Sequence, residues 1–214
     1  MTHTTGTTTT ATPAATGQLA HWSADFGDAY TERNVVAWRD RLAGFRTVLG
    51  DLPVSSVLEV GCNRGHNLQA LAHLHPDAAI VGIEPNATAR AVAAGNGCDA
   101  RPGDAFALPV ADGAFDLVFT AGVLIHVALP DLPRALDEIH RAARRWVLAI
   151  EYFADTETSI PYRGRDDLLW KRDFRDHYRR RFADLALVGE GYLDAASGFD
   201  RCHWWLFEKP GAGA

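Results

Sequence analysis

The sequence predicts an α/β fold built on a doubly wound, mostly parallel sheet, and three observations carry that prediction. From residue 54 onward, short apolar runs alternate with helical patterns. The runs are continuous rather than alternating with polar residues, as in strands covered on both faces. The last two runs are joined by a Gly/Asp/Ser-rich loop instead of a helix, which marks an antiparallel pair at a sheet edge.

Each element follows from local pattern. Trp22, Phe26 and Tyr30 lie four apart, on one face of a helix that Gly27 weakens. Val35, Trp38, Leu42, Phe45 and Leu49 repeat the helical period until Gly50 and Pro53 stop it. SSVLEVG and AIVGIE read as buried strands with the helix RGHNLQALAHLH between them. NATARAVAAG is a helix capped by Asn86 and ended by Gly95. AFDLVFTA (114–121) is the next strand. Asp131 can cap a helix that carries Pro133 in its first turn and runs to about Arg144. RWVLAIEYF is a strand. Trp170, Phe174 and Tyr178 give a helix with an aromatic stripe, and ADLALVGEGYL and RCHWWLFEKP form the closing pair.

Bulk properties bound the function. The chain has 214 residues and a net charge of -6, which argues against a protein that coats nucleic acid. No run of about 18 apolar residues is present, so no membrane span is expected. The first seventeen residues hold nine threonines and no basic or apolar signal region, so 1–17 is expected to be a disordered leader rather than a secretory signal. A helical cap is expected over 18–52 and the main domain over 53–210, with a basic insertion at about 155–182. Cys62, Cys98 and Cys202 make neither a metal pair nor a disulfide framework, which points to a cytoplasmic setting.

The stretch VLEVGCNRGHN carries the chemical signal. Gly61 and Gly65 let a turn after the first strand approach a ligand closely, and the following helix aims free N–H groups at it. Neither G-x-G-x-x-G nor a P-loop is present. Glu59, just before the turn, would repel phosphate and attract an ammonium. Glu84, at the end of the next strand, is placed to accept from ribose hydroxyls. Asp104 can accept from an adenine amino group. A ligand with an ammonium, a ribose, an adenine and no phosphate is S-adenosyl-L-methionine.

LEVGCNRGHN, GIEPN, GDAFALP and FDLVFTAGVLIHV together resemble the class I S-adenosylmethionine-dependent methyltransferases over roughly residues 53–153. The resemblance implies a Rossmann-like seven-stranded sheet with an antiparallel last strand. It also implies cofactor contacts from Glu59, Gly61, Asn63, Gly65, Glu84, Asp104, Ala105, Thr120 and Gly122. Asn63 stands where the family commonly has glycine; it either takes a left-handed conformation or contacts the ligand. GCNxGxN with GVLIHV, EYF, YRG and WKRDF is similar to methylases associated with pseudaminic acid biosynthesis and to a phosphonate O-methyltransferase of the dehydrophos antibiotic pathway.

The acceptor side has its own candidates. Between residues 161 and 182 lie eight Arg or Lys residues against four Asp. That local excess suggests a small anionic substrate, a phosphonate above all, touched by Tyr162, Arg163, Lys171 and Arg172. A nonulosonic acid or related sugar is the alternative acceptor, and a non-catalytic cofactor-binding module the alternative class. His126 is a candidate general base or hydrogen-bond donor, or else a satisfied core histidine. Tyr30 is a candidate lid over the pocket, or a residue packed on the sheet. No metal and no nucleic-acid partner is implied.

Overall fold

The computed structural model describes residues 16–211. Thr16 caps the first helix, accepting from Leu19 N–H, so the described chain is already helical at Gly17; the remainder of the expected leader lies outside the described residues. The elements in order are α1 (Gly17–Trp22), α2 (Asp25–Arg33), α3 (Arg41–Leu49), β1 (Ser56–Val60), α4 (His66–Leu74), β2 (Ala79–Glu84), α5 (Ala87–Gly95), β3 (Asp99–Pro102), β4 (Phe115–Ala121), α6 (Leu132–Ala142), β5 (Ala143–Glu151), β6 (Thr158–Ser159), β7 (Trp170–Lys171), α7 (Phe174–Arg181), β8 (Ala186–Leu193) and β9 (Cys202–Glu208).

Seven strands form one sheet in the order β3-β2-β1-β4-β5-β9-β8. The first five are mutually parallel. β9 runs antiparallel to both β5 and β8. This is the expected Rossmann-like sheet with its antiparallel last strand. The order reverses between β1 and β4, which creates the switch point where such sheets hold ligands. Buried side chains pack on both faces, Leu58, Ile83 and Val118 on one and Val57, Leu117 and Phe119 on the other. Among the described residues no helix is long and apolar enough to cross a membrane.

Four local readings are corrected. The first helical stretch breaks at Ser23–Ala24 into α1 and α2. Gly27 is buried within α2, where a Cβ would stand 1.8 Å from the Trp22 carbonyl oxygen and 2.8 Å from Asn86; the residue that weakens the helical pattern is what lets α2 fold back against α1. β3 lies where the sequence reads as loop, because its four residues are mostly exposed and lack an apolar run. Trp170 belongs to β7, and α7 begins only at Phe174, capped by Asp173 accepting from Asp176 N–H. Asp131 stands at the N-terminus of α6 but makes no side-chain cap bond.

Candidate active site

A cavity of about 190 Å³ lies at the carboxyl ends of β1, β2 and β4, under the lid formed by α1 and α2. Gly61 lines it with φ 77°. A Cβ there would come within 2.6 Å of a Val123 methyl, so glycine is required both by conformation and by space. Asn63 takes φ 46°, the left-handed conformation, and also lines the cavity. Its N–H donates to Glu84 at 2.9 Å, and its side-chain amide reaches Thr31 of α2 at 3.3 Å. The asparagine thereby ties the turn to the lid.

Two carboxylates line the cavity, Glu59 near the end of β1 and Glu84 at the end of β2. Glu59 is 1% exposed. Its Oε1 accepts from Asn67 at 2.6 Å, while Oε2 is buried with no partner. Burial pushes its pKa up to about 8, against the Asn67 bond and the nearby Arg41. Glu84 accepts from Asn63 N–H and, at 2.8 Å, from Asn86 N–H. Burial raises its pKa although those bonds oppose it. Each oxygen keeps a lone pair for a further donor. Asp104 and Ala105 line the cavity at a tight turn, where Asp104 accepts from Phe106 N–H at 2.7 Å. Gly122 lines the opposite wall with φ 69°.

Two residues expected to contact the cofactor, Gly65 and Thr120, do not line the cavity. Gly65 is buried away from the cavity; its αL conformation starts α4, and a Cβ would meet Cys98 Sγ at 2.7 Å. It is a helix-packing glycine. Thr120 is fully buried, with its hydroxyl beside the Glu151 carboxylate, and Ala121 lines the wall in its place.

On the acceptor side, His126 lines the cavity between the rings of Trp22 and Tyr162, at 4.5 and 5.7 Å. Its Nδ1 lies 2.5 Å from the Leu168 carbonyl. A carbonyl only accepts, so Nδ1 carries the hydrogen and Nε2 holds the free lone pair. Burial lowers the ring's pKa to about 4, with the Leu168 carbonyl opposing, so the ring is neutral near pH 7. Tyr30 packs edge-on against Trp22 and lines the cavity from α2. Burial raises its pKa to about 12; its hydroxyl can donate but does not serve as a base.

The expected anion cradle is not assembled. Arg172 is 1% exposed and lies outside the cavity, with Nε donating to Glu157 at 2.5 Å and Nη1 to the Val127 carbonyl at 2.7 Å. Arg163 is exposed at a turn with φ 54°. Lys171 places its ammonium over the Tyr152 ring at 5.5 Å. Tyr162 packs behind His126 and against Phe26 rather than lining the cavity. Arg165, Arg175, Arg180 and Arg181 pair with Asp167, Asp173, Asp176 and Asp137. The basic run is mostly a neutralised surface.

Arg41 and Trp22 are site residues that sequence reasoning missed as such. Arg41 lines the cavity near Glu59, stacked over Phe199 at 4.2 Å, with Nε buried and unpartnered. The signal was present: position 41 falls on the apolar helical face with Trp38, Leu42 and Phe45. Trp22 lies on the aromatic stripe, but nothing local says that the stripe faces a cavity.

A family model matches part of the chain that builds this cavity. Residues 58–146 match the family model for a methyltransferase domain. That segment holds Glu59, the glycine turn, Glu84 and Asp104, and it leaves the lid and the chain after β5's start outside. No curated protein matches the sequence. Among solved structures, the chain is similar to the 1,6-didemethyltoxoflavin-N1-methyltransferase of Burkholderia thailandensis, a structure with bound 1,6-didemethyltoxoflavin and S-adenosylhomocysteine, at 17% identity and TM-score 0.66, covering 94% of this chain and 93% of that one. It is similar to a possible histamine N-methyltransferase of Thermotoga maritima at 15% identity and TM-score 0.62, covering 90% and 99%. It is also similar to the [4+2]-cyclase SpnF at 19% identity and TM-score 0.60, covering 80% of each chain. These likenesses establish a shared fold.

Proposed function

We propose that the protein is an S-adenosylmethionine-dependent O-methyltransferase acting on a small molecule, with His126 as the proton acceptor. The observation that carries the cofactor is a pair of buried, unpartnered polar atoms, Glu59 Oε2 and Arg41 Nε, on two side chains that line one cavity. Such atoms are expensive to leave without a partner, and they match the ammonium and carboxylate of an amino acid. Glu84 offers ribose acceptors, and the Asp104–Phe106 turn flanks the adenine place. The methyltransferase-domain match over Glu59, Glu84 and Asp104 supports this assignment.

Bound there, S-adenosylmethionine supplies an electrophilic methyl group. The chain's part is to align an acceptor and take its proton. His126 is neutral with Nε2 free, so it can receive the hydroxyl proton as the oxygen becomes nucleophilic. The aromatic lid of Trp22 and Tyr30 excludes water from that contact.

An already ionised acceptor, such as a phosphonate or a nonulosonic acid, is the second reading. Such an acceptor needs no proton acceptor; of the cations expected to touch it, Arg163 and Lys171 are left in the basic run, and both stand outside the cavity lining. A panel of hydroxylated, phosphonate and carboxylate acceptors is tested for S-adenosylhomocysteine release. Turnover of hydroxylated acceptors that falls by 100-fold or more in His126→Ala, with cofactor affinity kept, supports base catalysis. Turnover of phosphonates that survives in His126→Ala supports the second reading. Cofactor binding with no turnover across the panel overturns both in favour of a binding module.

A further inference from the structure

We propose that Glu151 and Arg172 are positioning residues that lock the turn 123–127 from its two ends and so fix the direction in which His126 presents its ring. The proposal rests on the reading of His126 as the acceptor-side proton acceptor.

The turn follows β4 and contains the short 3₁₀ helix Leu124–His126. The first N–H groups of such a helix have no partner within it. Glu151, the last residue of β5 and fully buried, supplies them. Its Oε1 accepts from Val123 and Leu124 N–H at 3.2 and 3.1 Å, and its Oε2 from Ile125 N–H at 3.3 Å. At the other end the orphan groups are carbonyls. Arg172, also buried, donates from Nη1 to Val127 O at 2.7 Å and to Leu124 O at 3.4 Å. A carboxyl group thus sits at the N-terminal end of the turn, accepting from its amides, and a guanidinium at the C-terminal end, donating to its carbonyls. The strand pairing at 170–171 brings Arg172 here, and the adjoining Leu168 carbonyl holds His126 Nδ1.

Packing alone could hold a turn without burying two ionisable groups, and such groups are poor sources of net stability. Directional bonds at both ends add a fixed orientation for the ring between them. The part of the insertion that carries Leu168 and Arg172 therefore acts on the acceptor side through His126 rather than as a cationic surface. Its connection to solvent is Glu157, which holds Arg172 Nε and is partly exposed.

The test uses the full chain labelled with ¹⁵N histidine, with S-adenosylhomocysteine as the binding probe. In the unaltered protein, His126 is expected as the Nδ1–H tautomer, with no titration above about pH 5, since burial and the Leu168 carbonyl are what set it. Arg172→Met should mix the two tautomers and move the titration toward the ordinary histidine value of about 6.5. Arg172→Lys should restore part of the original signature, since an ammonium can still donate to Val127 O. Affinity for S-adenosylhomocysteine should fall less than in Arg41→Met, because Arg172 acts only through the turn whose Val123, His126 and Val127 line the cavity. If Arg172→Met fails to fold, Glu157→Ala, a change at a partly exposed side chain, should produce a smaller shift in the same direction. An unaltered His126 tautomer and titration in folded Arg172→Met, or in Glu157→Ala if only that variant folds, overturns the proposal. Absence of S-adenosylhomocysteine binding in the unaltered protein would instead overturn the cofactor reading, and the histidine spectra would still decide the positioning claim.

Discussion

Arg41 sits on a helix face that should be apolar, and its guanidinium is half-buried beside a carboxylate it does not touch. Burial lowers its pKa, with Glu59 the largest opposing influence. A cation so placed needs an anion from elsewhere, and the α-carboxylate of the cofactor fits. Arg41→Met should therefore weaken S-adenosylhomocysteine binding by about 1.5–3 kcal/mol, the range for hydrogen bonds to charged groups. Methylthioadenosine keeps the nucleoside and lacks the amino acid, so its affinity should hardly change. Calorimetry with both ligands gives the contrast. Equal losses for the two would place Arg41 in general packing and remove it from the amino-acid end.

At the scale of elements, the lid depends on one glycine. α2 lies on the start of α5 through Asn86, whose side-chain amide donates to Asp28 at 2.9 Å and to the Trp22 carbonyl at 3.4 Å, while its oxygen caps α5 by accepting from Ala89 N–H. Gly27 makes that approach possible. Gly27→Ala should push α1–α2 off the sheet while leaving the sheet itself intact. The expected readout is S-adenosylhomocysteine dissociation faster by tenfold or more in stopped-flow fluorescence, with far-ultraviolet dichroism nearly unchanged. An unchanged off-rate would show that the lid does not gate the cavity. The sequence showed an aromatic stripe over 22–30 but not the break at Ser23–Ala24, because the constraint at Gly27 is tertiary. The parallel strands were legible for the opposite reason: burial on both faces writes itself locally as a continuous apolar run. The carboxylates were legible because each ends such a run. The basic insertion misled because charge composition does not show pairing; Arg172 reads as a surface cation, and only the fold reveals that it is buried against carbonyls at 124 and 127.

For the whole molecule, buried carboxylates set a pH dependence that the cofactor should partly reverse. Burial raises Glu59 from 4.5 to about 8 and Glu151 from 4.5 to about 7, the latter against the bonds from Thr120 and the turn amides. An acid whose folded pKa is raised favours the folded state while protonated. Its contribution is fully present below about pH 4.5 and is lost as pH rises through 7 to 8. Asp116 behaves oppositely. Burial works against ionisation there, but bonds from Ser55 and Arg144 outweigh it and hold the carboxyl well below its usual 3.8. That stability is present above about pH 3.8 and is lost in acid. His126 and His66, both held neutral down to about pH 4 by burial, work the other way and lose stability as pH falls below about 6.5, so the Tm of the cofactor-free protein should fall chiefly between pH 6.5 and 8. S-adenosylhomocysteine brings an ammonium to Glu59 and favours its ionised form, so the Tm increment it confers should be larger at pH 7.5 than at pH 6. Above about pH 8 the ligand's own amine loses its proton and the gain should level off. In Glu59→Gln the fall in Tm should be shallower and the ligand increment should no longer grow with pH. Thermal scans at four pH values, with and without ligand, check all of this; a flat or rising Tm from pH 6 to 8 in the free protein would mean that Glu59 and Glu151 are ionised in the fold at neutral pH, and the ammonium site would lose its distinguishing electrostatic signature.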